Sequence, residues 1–236
     1  MNIELRGELW DNDSADILRW CGWRDITAPM DIAAALEKAN GEDVTLLVNS
    51  PGGDMTVGNE IRSMLRLNKG ATTALFQGYG ASAATLAAAG CQIIQSEPGA
   101  LLCYHNPAYT AAAGDYQDMA HYAEELQNAR DCVIEVYTAR PGCASREKLI
   151  ELMDKNLYIS PTQALEYGLI NNIVALDGAE QNEDHAAFVA ASGGRIRLTA
   201  AMRQKYLDHV AEERGISARK DTAERAMARM RALAKY

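Results

Sequence analysis

The stretch VTLLVNSPGGD, residues 44–54, contains the pattern that decides the fold. Its first five residues, Val44–Val48, are β-branched or aliphatic, which is typical of a buried strand. Because proline cannot donate a ladder hydrogen bond, we expect the strand to end at Pro51, and two glycines then allow a left-handed turn. Apolar residues at helical spacing predict a helix over 55–67. Such a turn lets the N–H of Gly53 approach a ligand closely, as an oxyanion hole requires, although an ordinary tight turn between strand and helix has the same sequence.

The alternation of strand and helix continues on both sides of this stretch. Short aliphatic runs predict four further strands, at residues 3–9, 72–76, 92–95 and 101–104. Amphipathic spacing predicts a helix at 29–39, whereas the segment that contains Trp10, Trp20 and Trp23 is predicted to be a loop. Strands that alternate with helices favour right-handed crossovers and a largely parallel sheet, which is an α/β fold.

Ser82 lies in the small-residue run GASAATLAAAG, residues 80–90, at the predicted start of a helix. Small neighbours leave its hydroxyl accessible, and a helix N-terminus supplies unpaired N–H groups nearby. The position therefore suits a nucleophile. A buried helix of alanine and serine packed against a sheet is the alternative interpretation.

His105 and Asp154 are the candidate partners of this serine. Of the four histidines, His105 is the one that follows a predicted strand and precedes a turn-forming Asn-Pro pair. Asp154 follows a long predicted helix and could hold an imidazole in one tautomer. Taken singly, His105 could also be a structural histidine and Asp154 a solvated loop residue.

In this order along the chain, the motifs resemble the ClpP-type serine peptidases. The motifs are NSPGG at 49–53, GASAA at 80–84, HNP at 105–107, and MD at 153–154 ahead of YISPTQALEYGLI at 158–170. Within that family the chain most resembles the head maturation proteases of tailed phages and prophages, from about residue 3 to residue 174. The resemblance implies an α/β ClpP/crotonase-like βαβ superhelical core with a long projecting helix and a C-terminal helical tail.

The resemblance also implies the roles of individual residues. Ser82 matches the family's nucleophile and His105 its general base. The N–H groups of Gly53 and Ala83 match the oxyanion hole. No metal and no organic cofactor is implied.

The motifs leave two candidates for the third catalytic residue. Asp154 matches the Met-Asp motif of the phage branch, whereas Asn156 falls where many bacterial ClpP subunits carry the orienting aspartate. We favour Asp154, because a carboxylate stabilises the imidazolium that forms during attack and an amide does not.

The activity implied is a serine endopeptidase that works through an acyl-enzyme, with phage prohead or capsid maturation as the setting and capsid or scaffold proteins as possible substrates. One alternative is a housekeeping ClpP-type subunit fed by a separate AAA+ unfoldase, since the chain has no Walker motif. A catalytically dead structural paralogue, which Asn156 would suit, is another. Acyl-CoA chemistry of the crotonase type does not need a Ser-His pair.

A long helix is predicted over Asp115–Ala139, with Met119, Leu126 and Val133 on one face. In the resembled family this helix projects from the head and contacts another subunit. We therefore expect a closed homo-oligomer, a ring that shields the serines from folded bystander proteins.

The length and composition of the chain indicate its domain organisation. The chain has 236 residues, 48% of them hydrophobic, and a net charge of −9, which suits one sizeable core at 1–175. We expect an acidic linker at 176–194 and a basic helical tail at 195–236, with helices at about 199–213 and 221–235. The tail carries 11 Lys and Arg against 5 Asp and Glu, a local +6. It suits docking on the core at least as well as contact with an acidic partner, and nucleic acid is not expected.

The sequence also bears on compartment. It contains no apolar run long enough for a membrane span and no leader-like start. Five cysteines, an odd number without a C-x-x-C pair, signal neither a disulfide framework nor a zinc site. We expect reduced thiols and a cytoplasmic protein, in the host cytoplasm or the prohead if it is phage-encoded.

Overall fold

A computed structural model describes residues 1–174 and 199–213. These residues divide into two compact units. One contains Met1–Ala15 and the chain from Arg24 to residue 174, and the other contains Asp16–Trp23 and the segment 199–213. The predicted linker, 176–194, and the second predicted tail helix, 221–235, lie outside the described residues.

The first unit is built on a parallel sheet, which confirms the predicted α/β class. The strands are β1 Asn2–Leu9, β2 Ile26–Thr27, β3 Val44–Gly53, β4 Thr72–Ala81, β5 Ile93–Ser96, β6 Leu101–Cys103 and β7 Asn172–Ile173. Their order is β2-β1-β3-β4-β5-β7, and β6 pairs with β4 beyond the end of β5. These strands pair with one another in parallel, and an isolated antiparallel bridge joins Leu102 of β6 to Ile159.

Helices connect these strands. They are α1 Asn12–Trp20, α2 Pro29–Ala39, α3 Met55–Leu67, α4 Ala83–Ala88, α5 Tyr116–Thr138, α6 Arg146–Lys155 and α7 Pro161–Glu166. A further helix, 200–213, belongs to the second unit. None of the described helices combines the length and the apolar composition needed to cross a bilayer.

The central strands form the core of the first unit. Alternate residues of β3, namely Val44, Leu46 and Val48, are buried, as the period of two in a strand requires. Ile61 of α3 is fully buried in the same core. Because β3 lies between β1 and β4, it fixes the positions of both neighbours.

The carboxyl ends of four parallel strands meet at one edge of the sheet. β1 ends at Leu9, β3 at Gly53, β4 at Ala81 and β6 at Cys103. This is the edge at which open α/β sheets bind ligands. The segments that follow β3, β4 and β6 carry the candidate oxyanion, nucleophile and base residues.

Two expectations from the sequence are wrong. β3 does not stop at Pro51 but continues to Gly53, because Ser50 is in register with Gly80 of β4 and Gly52 with Glu8 of β1, which leaves the proline between the two paired positions. The tryptophan-containing loop includes helix α1, whose first turn is capped by a 2.9 Å hydrogen bond from the Ser14 N–H to Asp11.

In the second unit, aromatic rings join helix 200–213 to the segment Asp16–Trp23. The ring of Trp20 lies 6.0 Å from that of Tyr206 and 5.0 Å from that of His209. Residues 200–213 are helical, which confirms the first of the two predicted tail helices.

Candidate active site

Ser82 lies at the junction between β4 and α4 in a backbone conformation that side chains rarely adopt. Its φ is 56° and its ψ is −129°, and it is half-buried. A non-glycine residue at positive φ costs free energy and persists only where its surroundings fix it. The same device, a serine on a sharp turn between strand and helix, exposes the nucleophile of many hydrolases.

The turn after β3 packs directly against this serine. A Cβ atom placed on Gly52 would lie 2.6 Å from the Ser82 Cβ and 2.8 Å from the Ala83 nitrogen. Gly52 also has a φ of 91°. Only glycine therefore fits here, and the missing side chain lets the turn after β3 lie directly against Ser82 and Ala83.

The N–H groups of Gly53 and Ala83 are both left free by the secondary structure around them. The Asp54 N–H donates to the Leu9 carbonyl at 3.0 Å, which makes Leu9 the bonding member of the Leu9–Gly53 register pair, so the β1 ladder does not use the Gly53 N–H. Ala83 is the first residue of α4, and its N–H precedes the first intrahelical bond.

His105 follows β6 and is half-buried. Its Nδ1 lies 2.7 Å from the backbone oxygen of Asn106. A carbonyl oxygen only accepts hydrogen bonds, so this contact requires the hydrogen on Nδ1, and in the neutral ring the lone pair is then on Nε2. This tautomer is the one a general base needs in order to take a proton from a serine.

Two links join the serine and histidine segments. The Ser82 N–H donates to the Cys103 carbonyl at 2.9 Å, two residues before His105. Ala81 and Cys103 are also paired in register between β4 and β6. Among the described hydrogen bonds, none joins the Ser82 hydroxyl to the His105 ring, so transfer of the proton requires these side chains to move closer.

Asp154 lies in the last turn of α6 and reaches the histidine segment through a neighbour. Its Oδ1 accepts a 2.8 Å hydrogen bond from Nδ2 of Asn106, the residue whose backbone oxygen holds His105. Asn106 Oδ1 is buried and has no partner among the described residues. Asp154 therefore contacts the residue next to the base and not the imidazole itself.

Asn156 has a conformational role. It is the C-cap of α6 in the left-handed region, with a φ of 48°, and its N–H donates to the Met153 carbonyl at 3.2 Å. Asparagine is one of the few residues with a side chain that adopts this conformation readily. The end of α6 thus explains an asparagine here without reference to catalysis.

Sequence reasoning treated Asn106 only as a turn former and missed its contacts with both His105 and Asp154. Adjacency to the histidine was the one signal, and it carries no information about which atoms pair. The described residues contain no group of His, Cys, Asp and Glu side chains arranged to hold a metal ion.

Cys103, two residues before His105, does not provide a second nucleophile at this site. Cys103 is buried, and burial raises the pKa of its thiol, which disfavours the reactive thiolate. All five cysteines lie within the described residues and are free thiols.

The comparisons with known proteins point to one family. The model of the Clp protease family matches residues 25–177. The chain is 35% identical over 158 residues to a Clp protease proteolytic subunit-like protein of Streptomyces coelicolor, which covers 64% of this chain and 74% of that one. It is 31% identical over 130 residues to an ATP-dependent Clp protease proteolytic subunit of Nephroselmis olivacea (54% and 62% covered), and 23% identical over 169 residues to subunit 1 of Chlamydia muridarum (70% and 81%).

Proposed function

Because the chain belongs to the Clp protease family of serine endopeptidases, we propose that it cleaves proteins through an acyl-enzyme formed on Ser82. The observation that carries this assignment is the positive φ of Ser82 at the end of β4, against the glycine turn of β3. Members of the family are protease subunits that act on protein substrates as oligomeric rings, and we infer a ring for this chain.

In the proposed mechanism His105 is the general base. Its Nε2 removes the proton of the Ser82 hydroxyl as the oxygen attacks the scissile carbonyl, and the imidazolium then protonates the leaving amine. Nδ1 keeps its hydrogen on the Asn106 carbonyl throughout. A water molecule activated in the same way hydrolyses the acyl-enzyme and regenerates the serine.

Asp154 is the carboxylate member of the proposed catalytic triad, and it acts on His105 through Asn106. Its carboxylate holds the Asn106 amide, and the same residue holds His105 Nδ1 with its backbone oxygen. The carboxylate therefore both fixes the base segment and places a negative charge near the developing imidazolium.

The oxyanion of the tetrahedral intermediate is proposed to bind the N–H groups of Gly53 and Ala83. Removal of one oxyanion donor in a serine peptidase costs on the order of 10²–10³ in turnover. Both donors here are backbone groups, so their positions depend on the Gly52 turn and on the start of α4.

Two biological settings agree with this activity. The order of motifs, with Met153 before Asp154, supports head maturation in a phage or prophage, where capsid or scaffold proteins would be the substrates. The names of the relatives support a housekeeping subunit fed by an ATP-driven partner. Portal and capsid genes beside this one would favour the first setting, and their absence would favour the second.

Peptidase kinetics test the assignment of nucleophile and base. Ser82→Ala and His105→Ala should each lower turnover of a fluorogenic peptide by about 10⁴–10⁶, and the double variant should lose no more, because the two act as a unit. Ser63→Ala, at an exposed position of α3, and His209→Gln are matched controls that should keep wild-type turnover. Retained activity in Ser82→Ala would overturn the proposal.

A further inference from the structure

A buried chain of hydrogen bonds leads from the long helix α5 to the backbone of Ser82. The Thr85 hydroxyl lies 2.6 Å from the Ser82 carbonyl oxygen, and 2.8 Å from the hydroxyl of Tyr137. The carbonyl oxygen only accepts hydrogen bonds, so the Thr85 hydroxyl donates its one hydrogen to Ser82. Tyr137 must then be the donor to Thr85, and the whole chain runs in one direction.

Both hydroxyl-bearing residues are removed from water. Thr85 is 2% exposed and Tyr137 is 3% exposed. Burial raises the pKa of Tyr137 well above its ordinary value, so the phenol stays protonated and remains a donor. A buried hydroxyl that loses its partner has no water to replace it, so each link of this chain holds the next in place.

The ring of Tyr137 also contacts the segment that carries the base. It packs edge-on against Tyr104, with ring centroids 5.3 Å apart and an interplanar angle of 80°. Tyr104 is buried and directly precedes His105. One residue of α5 therefore touches the nucleophile segment through its hydroxyl and the base segment through its ring.

We propose that Tyr137 is a positioning residue that sets the distance between Ser82 and His105, with Thr85 passing its hydrogen bond to the Ser82 backbone. This inference rests on the proposed roles of Ser82 as nucleophile and His105 as base. Ser82 requires such positioning because its φ is positive, and a strained backbone relaxes unless its carbonyl and its N–H are both held by hydrogen bonds. The Cys103 carbonyl holds the N–H. The Thr85 hydroxyl holds the Ser82 carbonyl together with the backbone N–H groups of Thr85, at 3.0 Å, and Leu86, at 3.4 Å, and the hydroxyl makes the shortest of these three bonds.

Tyr137→Phe removes the donor and keeps the ring against Tyr104. We expect its kcat to fall about 10- to 100-fold, which is the effect of one lost buried hydrogen bond. KM should be unchanged, because the hydrogen bond positions the reacting groups and does not contact the bound substrate. Thr85→Val should fall equally, Thr85→Ser should keep kcat within about threefold, and Tyr137→Phe combined with Thr85→Val should fall no further than either change alone. Tyr122→Phe, the same chemical change at a half-buried position in the N-terminal half of α5, is the matched control.

The rate at which a fluorophosphonate labels Ser82 separates this proposal from the one it rests on. Slower labelling of Tyr137→Phe and Thr85→Val, measured well below the thermal unfolding midpoint of each variant and with recovery in Thr85→Ser, would support the positioning role. Wild-type labelling rates in both variants would overturn it while leaving Ser82 as the nucleophile. A wild-type protein labelled elsewhere than Ser82 would overturn the proposed function, and the positioning role with it.

Discussion

Asp154 and Asn156 lie two residues apart at the end of α6, yet their environments differ. Asp154 accepts a hydrogen bond from the side chain of Asn106, beside His105, whereas Asn156 ends the helix in the left-handed region. The sequence offered both as the third catalytic residue. The hydrogen bond from Asn106 supports Asp154, and the φ of Asn156 accounts for the asparagine.

Substitution at these two positions should give opposite results. Asp154→Asn keeps an acceptor for Asn106 but removes the charge, so we expect turnover to fall, by less than the roughly 10⁴-fold lost where an aspartate bonds the imidazole directly. Asn156→Ala should keep turnover but lower the free energy of unfolding by about 1 kcal/mol, the cost of alanine at positive φ, and Asn156→Gly should restore it. Steady-state kinetics and urea unfolding of the same preparations make the comparison. Lost turnover in Asn156→Ala with full activity in Asp154→Asn would move the role to position 156.

Residues of the site were predictable to different degrees. Ser82 and His105 stand out because small neighbours and an Asn-Pro turn are local features that the sequence displays. The pairing of Asn106 with Asp154 joins residues 48 positions apart and depends on where the end of α6 lies relative to the segment that follows β6. Likewise, nothing in the sequence shows that the hydroxyl of Tyr137 meets that of Thr85.

At the scale of elements, the most accurate predictions are those with strong local end signals. The helix predicted at 29–39 begins at Pro29 as α2, and α3 begins after Asp54, which accepts a 2.7 Å hydrogen bond from the Thr56 N–H. The end of β3 was predicted wrongly because the effect of Pro51 depends on the register of two neighbouring strands. Helix α1 was missed because tryptophans and acidic residues obscure its apolar face.

Helix α5 matches its predicted length closely and has two distinct halves. Its C-terminal half contains Val133, Ile134 and Tyr137, all buried in the core of the unit. Its N-terminal half is mostly exposed, with Tyr116 80% and Met119 40% accessible. The apolar face predicted from the sequence therefore divides between the core of the unit and a surface that the described part of the chain leaves exposed.

At the scale of the whole molecule, the exposed half of α5 predicts self-association. Tyr116→Asp combined with Met119→Asp should dissociate a closed homo-oligomer and lower peptidase activity with it, because the change places charges where apolar area is buried between subunits. Light scattering at micromolar concentration measures the mass. Leu67→Asp, at an equally exposed leucine at the end of α3, is the control. A wild-type monomer with full activity would contradict the ring.

Stability should also fall in alkaline solution. Burial raises the pKa of the Cys91 thiol from its ordinary value of 9.0 to about 12. Above pH 9 the unfolded chain loses a proton that the folded chain keeps, so the contribution of Cys91 is complete below pH 9 and is lost as the pH rises towards 12, at up to about 1.4 kcal/mol per pH unit. Urea unfolding at about pH 8 and pH 10 should show a smaller decline in Cys91→Ala than in wild type, and an unchanged one in Cys21→Ala, whose thiol is exposed. Equal declines in Cys91→Ala and wild type would show that the thiol is not protected.

The measurement that tests the central claim most directly is the location of a fluorophosphonate adduct. We expect the wild-type protein to carry one adduct per chain, mapped by peptide mass analysis to Ser82, and Ser82→Ala to carry none. His105→Ala should label far more slowly, since the serine then lacks its base. An adduct on any other residue, or labelling that survives in Ser82→Ala, would contradict the assignment of Ser82 as the nucleophile.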